Sequence, residues 1–171
     1  MKTLLLVAGL LLASAASAQT TPTAAALTKR LNHLMHRPGE TDTEIRAVLE
    51  GCHFTQIIRK HRLDGKQEAT AFQVSHRKNG ADWAVKSDEK VEFELKLGVE
   101  WSQVTSLTYA PAQDEKTQQR YYEVKIRRER PSKDGSGTNS TTLELPLYTT
   151  DERVARDVVQ QLEQVRRQCG E

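Results

Sequence analysis

Apolar and charged residues alternate one for one along the middle of this chain. Val91, Phe93, Leu95 and Leu97 are interleaved with Glu92, Glu94 and Lys96, and Tyr122, Val124 and Ile126 with Glu123, Lys125 and Arg127. Leu143, Leu145 and Leu147 repeat the spacing further on. A period of two sends successive side chains to opposite faces of a strand, so each segment offers one face to a core and one to water. A sheet built this way needs something to lie on its apolar face. The end of the chain supplies a cover: Val154, Val158, Leu162 and Val165 make a stripe at helical spacing that runs to Cys169 and Gly170. Thr149 and Glu152, three apart, read as a capping box at its start.

Further strands are expected over 81–87, with Trp83 and Val85, and over 102–110, with Val104, Leu107 and Tyr109. Residues 53–62 and 67–77 read as a hairpin around Leu63-Asp64-Gly65-Lys66, because Asp-Gly accepts the positive φ angles of a tight turn. Ahead of the strands, Leu27, Leu31, Leu34 and Met35 share a helical face, and Arg37-Pro38-Gly39 ends that helix. Thr41 or Asp42 then caps a second helix with Ile45, Val48 and Leu49 on one side and Gly51 at its end. The expected fold is therefore α+β. One or two N-terminal helices precede a seven-stranded antiparallel curved sheet or partly open barrel, which the C-terminal helix caps. Trp83 and Trp101 are expected in its core.

Composition narrows the class of protein. With 171 residues, 37% apolar and 28% charged, and a net charge of +2, the chain has the balance of one globular domain and lacks the basic excess of a nucleic-acid binder. Its start reads as an export signal: Lys2, an apolar run from Leu4 to Leu12, and Ala16-Ser17-Ala18 before a cut at Gln19. The run is about half the length needed to span a bilayer, so no transmembrane segment is expected after cleavage. The chain divides into a cleaved signal at 1–18, a helical segment at 19–51 and a barrel domain at 52–171, destined for the periplasm or secretion. In that oxidising setting Cys52 and Cys169, about 117 residues apart, are expected to form a disulfide.

Seven strands grouped four plus three and closed by an amphipathic helix over residues 52–169 resemble the pleckstrin-homology-like superfold, including its GRAM-type variants, in a small exported bacterial protein. The resemblance lies in topology. It implies a bent two-sheet barrel with the Val154 to Val165 helix plugging one corner. In lipid-binding members of the superfold, basic residues of the first hairpin grip a phosphorylated headgroup. Arg59, Lys60, Arg62 and Lys66 lie on the corresponding hairpin and are the candidate ligand-binding residues, although its second strand lacks the further paired basic residues.

Catalytic chemistry has little to seed it. His33 and His36 lie three apart on a predicted helix without a third metal ligand at defined spacing. His53, His61 and His76 sit among cationic neighbours, and no Gly-x-Ser-x-Gly or His-Glu-x-x-His segment occurs. Acidic pairs such as Asp88-Glu89 and Asp151-Glu152 read as turns or a helix start, and Lys125-Ile126-Arg127-Arg128-Glu129-Arg130 as a charged strand edge. No enzyme activity, metal or cofactor is expected. Two roles remain. One is a binding module for an anionic or protein ligand in the cell envelope or extracellular space. The other is an accessory protein that associates with another exported protein through the Leu27 to Met35 face or a strand edge.

Overall fold

The computed structural model describes residues 23–40, 42–61, 72–78, 81–87, 91–131 and 138–170. The expected export signal, the expected Asp64-Gly65 turn and Asn79-Gly80, whose sequence suits a further turn, lie outside them. Antiparallel pairing organises the described chain into two sheets. The first holds β1 (Thr43–Glu50), β2 (His53–His61), β3 (Phe72–Lys78), β4 (Ala81–Ser87) and β5 (Val91–Glu100), in the spatial order β1-β2-β5-β4-β3. The second is β6 (Val104–Gln113), β7 (Arg120–Pro131) and β8 (Thr138–Leu147) in chain order. A 3-10 turn at Trp101–Gln103 links the sheets, and helices α1 (Ala24–Met35) and α2 (Glu152–Gly170) complete the fold. The class is α+β as expected, with eight strands in two sheets in place of seven strands in one curved sheet or barrel.

The eighth strand is the segment expected to be a second helix. Ile45, Val48 and Leu49 suit a helical stripe, but burial falls on Ala47 and Leu49, two apart, and β1 pairs with β2 in continuous register from Thr43 opposite Lys60 to Glu50 opposite His53. Gly51, at φ +57°, makes the tight β1–β2 turn where a helix end was expected. Part of the outer edge of β1 is closed by α1 side chains. The Asn32 amide donates to the Ala47 carbonyl (2.9 Å) and accepts from its N–H (2.7 Å), and the Thr28 hydroxyl accepts from the Leu49 N–H (3.3 Å). Those side-chain bonds are non-local, and they stabilise an extended segment whose own sequence suits either state.

A second correction concerns the expected hairpin of 53–62 with 67–77. β2 does not pair with β3: its neighbours are β1 and β5, and β3 forms the far edge against β4. The real first hairpin is β1–β2. The helix cap also differs. Asp151 accepts from the Arg153 N–H (2.9 Å) at the start of α2, and Thr149 accepts from the Asp151 N–H one step earlier. Glu152 accepts from the Tyr109 hydroxyl and Arg156, and does not reach back to Thr149.

One core joins both sheets and both helices. α1 buries Leu27, Leu31 and Met35, and α2 buries Ala155, Val158, Leu162 and Val165. Val124, Ile126, Leu143, Leu145 and Leu147 line the second sheet, and the side chain of Gln56 spans the sheets by donating to the Glu144 carbonyl (2.7 Å). At the centre Phe54 meets Trp101 edge to face, with ring centroids 5.6 Å apart, and both are fully buried. Beside them Cys52 and Cys169 form a disulfide, with Cα atoms 5.4 Å apart, which ties the β1–β2 turn to the end of α2. Closing that loop of 117 residues stabilises the fold by about 4 to 5 kcal/mol in the loop-entropy account.

Candidate functional site

The register across the first sheet sorts its residues into two contrasting rows. On one face Ile45, Ile58, Leu95, Val85 and Val74 stand opposite one another, one from each strand. On the other face Glu44, Arg59, Glu94 and Lys86 form a row of alternating charge over four strands. Adjacent residues of the same strands thus carry opposite duties, as a period of two requires.

Of the four candidate ligand-binding residues Arg59 and Lys60 lie on β2, and each is engaged by a carboxylate. Arg59 ion-pairs with both Glu94 and Glu44, and Lys60 contacts Glu92 at 3.0 Å on the opposite side of the strand. Arg62 and Lys66 lie outside the described residues. Burial pushes the Glu94 carboxyl up, but the Arg59 guanidinium and the Lys96 ammonium outweigh it and hold the group below its ordinary value. The described part of the basic run on β7 is similarly occupied. Lys125 bridges Glu123 and Glu144, Arg127 pairs with Glu129, and Arg128 points inward and is buried. His33 on α1 and His36 just beyond its end are exposed, and no group of three or more metal-ligating side chains occurs among the described residues. The Leu27 to Met35 face, considered as an association surface, lies inside the core.

What the sequence reading missed is the far end of the apolar face. The row Leu49, Phe54 and Val99 is buried under Trp101 and the helices. Four residues further along their strands Ile45, Ile58 and Leu95 are half-buried, as is Val85 beside Leu95, and toward β4, β3 and the start of β5 the face opens to water. Val74 is 52% exposed, Trp83 40% and Phe93 37%, the most exposed large apolar side chains among the described residues. Trp101 takes the core position expected of it, whereas Trp83 does not. The strand register puts Trp83 opposite Leu97 and Val74 opposite Val85, so these side chains belong to the same face as the core. The signal available earlier was the concentration of Trp83, Val85, Phe93 and Leu95 on neighbouring strands. No family model matches this chain, and no curated protein or solved structure matches it either.

Proposed function

We propose that the mature chain is a non-enzymatic binding module of an exported protein whose ligand is another protein, held on the open end of the five-stranded sheet. One observation carries the reading: Val74, Trp83 and Phe93 are exposed on the face that elsewhere forms the core. Large apolar side chains gathered on one sheet face favour a partner that brings its own apolar surface, since burial is worth roughly 25 cal/mol per Å². Tryptophan is also among the residues enriched in binding hot spots. An anionic ligand is less favoured, because Arg59 and Lys60 already neutralise carboxylates. Export rests on Lys2, the Leu4 to Leu12 run and the Ala16-Ser17-Ala18 site, and the disulfide is compatible with an oxidising compartment.

The test is site-specific photocrosslinking in the producing cell, with a photoreactive residue at Val74 and a control at the exposed Ser102. A discrete protein adduct from position 74, absent from position 102 and lost in the Trp83→Ser/Phe93→Ser variant at unchanged melting temperature, is the expected result. An adduct that survives the double substitution, or equal adducts at both positions, overturns the reading.

A further inference from the structure

β1 is an edge strand whose edge is only half closed. In an antiparallel pair alternate residues turn both backbone groups toward the same neighbour. Ala47 and Leu49 turn theirs away from β2, where Asn32 and Thr28 meet them, and the Asp42 carbonyl accepts from the His61 N–H on the β2 side. Ile45 and Thr43 therefore also direct their N–H and C=O groups outward, beyond the reach of Asn32, and no described residue bonds them there. They open on a groove of about 580 Å³ between α1 and β1, lined by the side chains of Met35, Ile45 and Tyr148. Along the α1 side of this groove stand Lys29, His33 and His36, four and three residues apart and all exposed, with no ion pair to any described residue. The acids that line it are spoken for: Glu40 pairs with Arg37, and Glu44 with Arg46 and Arg59. The groove thus combines an unpaired strand edge with basic side chains that no described acid pairs.

We propose that this groove takes an extended acidic peptide segment as an added strand on β1. Main-chain bonds to Ile45 and Thr43 supply attachment, and Lys29, His33 and His36 select for carboxylate side chains. Asn32 already occupies Ala47, so the ladder is short and ends there, and discrimination rests on charge more than on strand length. The site is on the opposite edge of the sheet from β3 and is independent of the open apolar face.

The test uses the disulfide-intact mature chain and three kinds of capped hexapeptide. One alternates valine and glutamate, one alternates valine and lysine, and a pair carries the acidic sequence N-methylated on one or the other set of alternate residues. The acidic peptide should bind at least about tenfold more tightly than the lysine peptide, a difference of about 1.4 kcal/mol. One N-methylated form should lose about tenfold, because its methyl groups face β1 and remove the ladder. Exchange of the Ile45 amide should slow at saturating acidic peptide. K29E/H33E/H36E, which changes only exposed side chains, should reverse the charge preference at unchanged melting temperature. A smaller preference for the acidic peptide, equal binding of both N-methylated forms and the parent, or an Ile45 amide that exchanges at its free rate each overturns the proposal.

Discussion

The two ends of one sheet face are made of the same kinds of residue and have opposite fates. At one end Leu49, Phe54 and Val99 are at most 6% exposed; at the other Val74, Trp83 and Phe93 are at least 37% exposed. The pairing of β2 with β5, β5 with β4 and β4 with β3 puts both ends on one face, so neither strand propensity nor alternation distinguishes them. The closed end has Trp101 against Phe54, α2 behind it and the disulfide at its margin, while Val74, Trp83 and Phe93 lie outside the core cluster. An alternating pattern reports which face of a strand is apolar. Where the cover stops is decided by the length and placement of other elements.

Removing the covalent tie should break the contrast most severely. Cys52→Ser with Cys169→Ser is expected to lower unfolding free energy by about 4 to 5 kcal/mol, measured by denaturant titration. A loss under about 1 kcal/mol would show that packing alone holds the closed end. Phe54→Ala strips the centre of that end and should cost about 3 to 5 kcal/mol, since the pocket around Trp101 and α2 is too constrained to collapse fully. An effect as small as that of a surface substitution would refute the placement of the core.

The open end depends on its opposite face, and pH tests that. Glu94 has a folded-state pKa held below its unfolded value, so its contribution to stability is complete above the unfolded pKa. It is lost as pH falls through the folded value. Wild type should therefore lose stability on acidification more steeply than Glu94→Gln; parallel acid limbs would mean that the row of alternating charge contributes nothing net. The smallest effect belongs to Trp83→Ser, expected well below that of Phe54→Ala in the isolated protein because the indole is 40% exposed where Phe54 is fully buried. A cost like that of Phe54→Ala would mean that the open end is covered after all.

Much of this fold is legible from residue spacing. Leu143, Leu145 and Leu147 point inward as their alternation requires, three of the four residues in the α2 stripe are buried, and the two cysteines are paired. The segment 43–50 was not legible, because Ile45, Val48 and Leu49 satisfy a helical and an extended pattern almost equally. The choice was made by hydrogen bonds from Asn32 and Thr28, which local sequence does not encode. The β2–β5 pairing was hidden for a related reason: it joins residues 53–61 to 91–100 across two intervening strands. Position 94 illustrates the limit on the site. A glutamate in an alternating strand reads as solvated, yet its side chain is only 8% exposed, enclosed by Arg59 and Lys96.

The disulfide between Cys52 and Cys169 also sets how the molecule responds to a mechanical load. Tension applied at the two termini passes from residue 52 to residue 169 through the sulfur atoms and bypasses the chain between them, a sequence separation of 117. At about 3.4 Å per extended residue, roughly 400 Å of contour length is withheld from stretching. Only α1, β1 and the chain's extreme ends can be drawn out, so a pulled molecule peels off its first helix and edge strand while β2 to β8 and most of α2 stay within the covalent ring.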